Sequence, residues 1–228
     1  MKIGVISDVH SNVVALDAVL RVLEEEVSDT ILCAGDLVGY YPFPDETVSK
    51  IRDVEAICIL GNHDFGLITG TPKGFNRIAK RALDWNRRHI SEENRVYLEE
   101  LPDTIRRTIN GLDIFMAHGS PTYPIDEYTW EHDIDKTFLK ESFDIIPDVV
   151  ILGHTHRPYV KILGNTVCMN PGSVGQPRDG DPRASFGVID TDSYEAELRH
   201  VEYEIDWVAK ETEEHLPRKL ADRLYEGR

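Results

Sequence analysis

Five short apolar runs, each closed by a polar cluster, constrain this chain more than any other feature. Residues 2–7, 30–34, 55–60, 112–117 and 148–152 are rich in Val and Ile. They are bounded by Gly and Asp and are too short for helices, so they suit strands buried on both faces. Between the first of them lie helical patterns. Val13, Leu16, Val19, Leu20 and Leu23 make a 3.6-residue stripe behind Asn12, a plausible N-cap. Pro44, followed by Asp45 and Glu46, opens the next helix. Strand, helix, strand, helix in that order implies parallel βαβ units.

The second half changes character. Asn110-Gly111 and Gly164-Asn165 read as tight hairpin turns, so residues 158–169 and 184–203 are expected as mostly antiparallel strands. A closing helical stretch over 206–226 is interrupted at Pro217. The stretch 65–101 is helix-rich and amphipathic, with Gly66, Gly70 and Gly74 at its entry, and reads equally as a cap over a site or as a packing helix pair. Lys73, Arg77 and Arg81 would give such a cap positive charge. No linker divides the chain, so one domain over residues 1–228 is expected, with 65–101 as a cap-like insertion.

Composition excludes several classes. A formal charge of −16, from 41 acidic and 25 basic residues, opposes general attraction to nucleic acid or an anionic membrane. No run is long and apolar enough for a membrane span. The opening MKIGVISDVH runs straight into a strand, without a basic-then-apolar leader, so a cytoplasmic location is expected. Cys33, Cys58 and Cys168 lie in or beside apolar runs without CxxC spacing, as buried free thiols do.

The clusters that close the runs carry the chemistry. They are Ser7-Asp8-Val9-His10, Gly35-Asp36, Gly61-Asn62-His63-Asp64, Ala117-His118-Gly119 and Gly153-His154-Thr155-His156. Imidazole, carboxylate and carboxamide groups gathered at strand ends suit a metal centre of nitrogen and oxygen ligands. Two divalent cations about 4 Å apart need a shared anionic bridge. Asp36 is the natural one, since a carboxylate can offer one oxygen to each ion. Asp8 and His10 alternate across Val9 and in an extended segment would face one side. His154 and His156 have the same spacing, although a loop could aim them at different ions.

The ordered series DxH, GDxxxG, GNHD, HG and GHTH resembles the calcineurin-like metallophosphoesterase superfamily, and within it the small YfcE-type phosphodiesterases. The resemblance spans about residues 1–190, including Asn170-Pro171-Gly172-Ser173 and the QPRDGDPRASF stretch. It implies a mixed α/β fold, a four-layer αββα sandwich of two mixed sheets flanked by helices. It also implies that Asp8, His10, Asp36 and His156 hold one metal and Asp36, Asn62, His118 and His154 a second. Manganese is favoured, while iron, zinc, nickel or cobalt also suit such a donor set. His63 would face the substrate and protonate the leaving oxygen, with Asp64 orienting it.

Weaker candidates surround this set. Asn170 precedes a Pro-Gly turn; its plain alternative is a loop cap. Arg157 and Arg178 could grip a second phosphate or simply form surface salt bridges. Tyr40 could stack on a base or aryl group, or simply pack. His89, His132, His200 and His215 lie outside the motifs and read as surface residues.

The departures narrow the branch. Protein Ser/Thr phosphatases carry GDxxDRG and GNHE, and purple acid phosphatases DxG and a tyrosine where this chain has His10 and Gly39. A phosphodiesterase or dinucleoside-polyphosphate hydrolase acting on a small phosphorylated substrate is the leading expectation. Phosphomonoesterase or nucleotide phosphatase activity and a non-catalytic protein-binding scaffold are the alternatives. The C-terminal helical stretch offers a face for a homodimer.

Overall fold

All five Val/Ile runs form strands, and their side chains are almost wholly buried. The computed structural model describes residues 1–26, 30–72 and 74–228; Lys73 lies outside the described residues. One sheet holds β1 (Lys2–Ile6), β2 (Ile31–Cys33) and β3 (Ile57–Cys58) in parallel. The hairpin of β9 (Ala184–Asp190) and β10 (Glu195–Val201) pairs antiparallel with β1, giving the order β10-β9-β1-β2-β3. The other sheet is built from β4 (Thr104–Ile109), β5 (Leu112–Ala117), β6 (Val149–Ile151), β7 (Tyr159–Leu163) and β8 (Thr166–Asn170), in the order β4-β5-β6-β8-β7. Here β5, β6 and β8 are parallel, and hairpins close both edges. Asn110 and Gly111 both take positive φ, 46° and 87°, as a two-residue hairpin turn requires.

Alternation along the strands sets the layers. Ile3 and Val5 of β1 and Leu32 of β2 meet Ile114 and Met116 of β5 and Ile151 of β6 between the sheets. Each fully buried aliphatic side chain there contributes about 1.5–3 kcal/mol. Ile6 and Cys33 face outward onto Leu16, Val19 and Leu23 of α1 (Val13–Glu26) and onto Val48 and Ile51 of α2 (Pro44–Asp53). On the far side, Phe115, Ala117 and Val150 pack with Leu139 of α6 (Lys136–Ser142). The result is a helix–sheet–sheet–helix sandwich.

The helical insertion is α3 (Asn62–Thr69), α4 (Arg77–His89) and α5 (Glu92–Glu99). Asn76 and Ser91 cap α4 and α5 through their side-chain oxygens. The C-terminal stretch divides at Pro217 into α7 (Ile205–His215) and α8 (Arg218–Glu226). Val208, Leu220 and Leu224 of this pair pack with Tyr41 and with Ala79 and Ala82 of α4.

The 55–60 run yields the shortest strand relative to its length. β3 keeps only two residues because the chain then leaves the ladder: Leu60 N–H donates to Pro102 O at 2.8 Å. The GNHD cluster is also not a loop. Asn62 starts α3, and the Asp64 carboxylate reaches back to accept the N-cap Gly61 N–H at 3.1 Å.

Candidate metal centre

The parallel strands place their carboxyl ends on one edge of the sandwich, where the chain turns abruptly. Asp8, His10, Asp36, His154 and His156 all have left-handed backbones, with φ between 51° and 66°. Such a conformation costs a non-glycine residue about 1–2 kcal/mol and persists only where surroundings impose it. Here the loop after β1 is zipped to the loop after β2. Asp8 N–H donates to Gly35 O at 3.0 Å, His10 N–H to Asp36 O at 2.9 Å and Ser11 N–H to Leu37 O at 2.9 Å. Asp8 and His10 thus reach the same place, with Asp8 Oδ1 3.6 Å from His10 Nε2, but through a left-handed turn and not through extended alternation.

Two clusters result, and Asp36 stands between them. Asp8, His10 and His156 converge in one; Asp36, His118 and His154 in the other. The turn after β6 therefore sends His154 and His156 to different clusters. Asn62 joins the second, its Oδ1 3.2 Å from His118 Nε2. Asp36 Oδ2 lies 3.7 Å from His10 Nε2 and 3.3 Å from His118 Nε2. Its Oδ1 accepts the His63 N–H at 2.7 Å. One oxygen, not two, faces both clusters, which corrects the expectation of one oxygen for each ion.

The hydrogen bonds test whether these residues suit a cation. His10 donates Nδ1–H to Val38 O at 2.9 Å, His118 to Ala34 O at 2.7 Å, and His156 to Gln176 O. A ring nitrogen facing a carbonyl carries the proton, so His10 and His156, when neutral, turn Nε2 lone pairs inward, as His118 does once its second proton is gone. Those lone pairs meet other acceptors: His10 Nε2 is 3.1 Å from His156 Nε2. Asp8 Oδ1 and His154 Nε2 are buried with no hydrogen-bond partner. Buried acceptors converging without donors are costly unless a cation sits among them, so the residues fit the divalent metals that the resemblance implies.

Charge balance points the same way. Burial works against a charged His118, yet Asp36 raises it to about 10, a proton standing where a cation would. Burial lowers His154 to about 3, helped by His118, and His156 to about 4, helped by Arg178. Asp36 and Asp8 sit well below the usual carboxylate range despite burial, held there chiefly by His118 and His156 respectively.

His63 is buried beside the first cluster, its ring 4.8 Å from His10, 4.6 Å from Tyr40 and 4.6 Å from Phe75. Burial holds its imidazole well below the ordinary histidine value, against the attraction of Asp36. Its Nδ1 has no partner. Asp64 does not orient it: the Asp64 carboxylate accepts the N–H groups of Leu37, Val38 and Gly61. That carboxylate organises the loop that carries Asp36. Burial and the charge of Asp36 raise Asp64 to about 7, although its three N–H partners favour the ionised form.

The substrate candidates divide. Asn170 is fully buried and consumed by structure; its amide donates to Gly153 O and Thr155 Oγ1, and its oxygen accepts Gly172 N–H. It braces the turn bearing His154 and His156, so the contact expected with substrate is corrected to a loop brace. Tyr40 is 5 % exposed, packed on His10 and His63 with its hydroxyl accepting from Arg178 at 3.1 Å, which leaves no ring face for a base. Arg178 is half-buried above Tyr40. Arg157 is exposed, its guanidinium 5.7 Å from the Trp130 ring centroid. Outside the motifs, His89, His132 and His215 are exposed, and His200 is half-buried 3.5 Å from Asp179.

Three residues at the site escaped the motif reading. Asn86 of α4 accepts from Ser11 Oγ and Gly39 N–H and donates to Tyr41 O. Its signal was a polar residue on the apolar stripe of Ala79, Ala82 and Leu83. Phe75 covers His63, and Tyr128 covers His154 with ring centroids 3.9 Å apart. Neither belongs to a spacing that sequence alone would flag.

Residues 1–194 match the calcineurin-like phosphoesterase superfamily domain. The chain belongs to that superfamily. A metallophosphoesterase from Sphaerobacter thermophilus has a similar structure, with a TM-score of 0.84 and 34 % identity over 100 % of this chain and 99 % of that one. Uncharacterized protein MJ0912 of Methanocaldococcus jannaschii is 36 % identical over 99 % of this chain and 98 % of its own length. Phosphodiesterase YfcE of Escherichia coli is 23 % identical over 84 % of this chain and 89 % of its own. Within that superfamily the chain is similar to the small YfcE-type phosphodiesterases, and it is a hydrolase acting on phosphoric ester bonds. No described helix is long and apolar enough to cross a membrane.

Proposed function

We propose that the chain is a metal-dependent phosphodiesterase of small substrates, dinucleoside polyphosphates among them, with a two-metal centre in which manganese supports activity. The observation that carries this reading is the convergence of buried acceptors that lack donors: Asp8 Oδ1, His154 Nε2 and the facing Nε2 atoms of His10 and His156. Asp8, His10, Asp36 and His156 would hold one cation, and Asp36, Asn62, His118 and His154 the other. Bound there, two divalent ions would supply an activated water and neutralise phosphoryl charge.

The chain's own residues do the rest. Backbone carbonyls of Val38, Ala34 and Gln176 fix the tautomers of His10, His118 and His156. His63, neutral at pH 7 when no substrate is bound, still carries one N–H to offer a leaving oxygen; a bound phosphate's negative charge would favour its protonation. Arg178 adds positive charge beside the first cluster. The 65–101 insertion serves as a fixed wall, because Asn86 ties α4 to the site loops through three buried hydrogen bonds. A charge of −16 favours small substrates over polymeric nucleic acid.

The test is hydrolysis of bis-p-nitrophenyl phosphate by chelator-stripped protein, with and without added Mn²⁺, alongside metal content. Turnover should require the metal, and Asp36→Asn should lose both ions. Full two-metal occupancy in that variant, or no metal-stimulated turnover of the wild type, would overturn the reading.

A further inference from the structure

Arg178 stands beside the first cluster as a cation without an ion pair among the described residues. Its guanidinium donates to the Tyr40 hydroxyl and to Gln176 Oε1, each at 3.1 Å, and the Tyr128 hydroxyl also accepts from it. These acceptors are neutral, and a guanidinium has five N–H donors, so donors remain. The carboxylates of its own loop are turned elsewhere: Asp179 lies 3.5 Å from His200, and Asp181 accepts from Arg183 at 2.6 Å. Asp8 is the carboxylate whose charge reaches it, and the two-metal reading spends that charge on a cation. A half-buried charge with neutral partners is costly unless an anion completes it. With 41 acidic residues against 25 basic, the chain does not lack carboxylates to do so.

The position of Arg178 selects the anion. Its N–H donates to His156 O at 3.2 Å, and Gln176 O accepts from His156 Nδ1, so the segment is strapped to a candidate ligand from both sides. The guanidinium lies 5.8 Å from the Tyr40 ring centroid, and that ring packs 4.6 Å from His63. Its charge acts on both His156 and His63. Arg178 therefore stands on the side from which His63 serves the leaving oxygen. An alcohol leaving there needs a proton, whereas a leaving phosphate carries negative charge and needs a cation. A planar guanidinium matches phosphate oxygens with two parallel N–H bonds. We propose that Arg178 binds a leaving phosphate, which makes the preferred substrate a phosphoanhydride and not a simple diester. In that step the water oxygen bonds to the attacked phosphorus, the bridging P–O bond breaks, and the bridge oxygen keeps the electron pair. The departing phosphate is held by Arg178, and the water's proton passes to solvent. This deepens the phosphodiesterase reading and rests on it, because the attacked phosphate must lie at the clusters.

The test compares kcat/KM of the metal-loaded full chain on diadenosine diphosphate, which expels AMP, and on bis-p-nitrophenyl phosphate, which expels p-nitrophenolate. Loss of a charge-assisted hydrogen bond to phosphate predicts that Arg178→Gln lowers the first relative to the second by about ten- to a hundredfold. Arg178→Lys, which keeps the charge without the fork, should recover part of that ratio. Because the ratio is read within each variant, general damage to the loop cancels. Calorimetry adds a readout apart from turnover: methylene-bridged diadenosine diphosphate, which cannot be cleaved, should bind the wild type at least about tenfold tighter than Arg178→Gln. An unchanged ratio or affinity in Arg178→Gln, a ratio in Arg178→Lys no better than in Arg178→Gln, or wild-type turnover of the aryl ester alone overturns the role of Arg178 and leaves the phosphoesterase reading standing. If neither substrate is turned over, that reading fails, and the role of Arg178 falls with it.

Discussion

Removing the Asn86 carboxamide should destabilise the chain more than any surface change, and the cost can be worked from its partners. Asn86→Ala frees three buried groups: the Ser11 hydroxyl, the Gly39 N–H and the Tyr41 carbonyl. The hydroxyl can rotate toward another acceptor; the two backbone groups cannot. Each buried group left unsatisfied costs about 1–3 kcal/mol, so the pair gives about 2–6 and centrally about 4 kcal/mol. With a urea slope of about 3 kcal/mol/M for a chain of this size, the unfolding midpoint should fall by about 1.3 M at unchanged slope. The measurement belongs in chelator, because a bound metal would add its own stabilisation and mask the loss. Asn86→Asp tests the same geometry differently. It keeps the acceptor for Gly39 and Ser11 but turns an oxygen toward Tyr41 O, so it should also lose stability. A midpoint drop below about 0.3 M in Asn86→Ala would show that water or backbone movement satisfies those groups, and the claim that α4 braces the site would fail.

Other perturbations probe the site itself. Gly39→Ala should cut turnover at least about tenfold while metal content is retained, since a Cβ there would lie 2.2 Å from His63 Nδ1 at a φ of +106°; steady-state rates with metal analysis decide it. His63→Ala should slow esters with poor leaving groups more than activated aryl esters, and equal losses on both would remove the proton-donor role. Metal uptake at pH 7 should release a proton, because Asp36 raises the metal-free His118 to about 10 against burial; calorimetry in buffers of different ionisation enthalpy measures it, and His118→Gln should abolish that proton.

Stability of the metal-free chain should peak near pH 6.5. Below that, His154 at about 3, His156 at about 4 and the lowered His63 stay neutral in the fold while their unfolded counterparts take protons, so stability falls with pH. Asp64, raised to about 7, acts in the opposite sense, but it is one group against three. Above 6.5 the sign reverses through His118, whose proton is kept in the fold and lost from the unfolded chain. Urea midpoints in chelator at pH 5, 6.5 and 8.5 test this, and a midpoint that rises steadily across the range would refute it.

The sandwich was legible because buried parallel strands announce themselves as short Val/Ile runs, and two-residue turns such as Asn110-Gly111 as positive-φ pairs. The clusters were legible for a related reason: the parallel strands bring their carboxyl ends to one edge, so polar residues after each run become neighbours in space. What could not be read was how those residues are supported. Five candidate ligands have left-handed backbones, a conformation imposed by hydrogen bonds between loops that sequence order keeps far apart. Periodicity arguments presuppose regular backbone, so the alternation of Asp8 and His10 found the right neighbours for the wrong reason.

The same limit explains Asp64 and Asn170. Both stand beside metal-site motifs and carry the right functional groups, and both are consumed by backbone partners. In a dry site every polar side chain must be satisfied, and a carboxylate or carboxamide with its capacity filled by N–H groups and carbonyls has none left for substrate. Within the motifs, the groups left unsatisfied are Asp8 Oδ1, His63 Nδ1 and His154 Nε2; outside them Thr47, Tyr159, His200 and Tyr203 also keep an unpaired buried atom. Two of the first three lie in the clusters and the third on the ring facing them. Among the motif residues, unspent hydrogen-bonding capacity in a buried place therefore sets Asp8, His63 and His154 apart from the bracing Asp64 and Asn170.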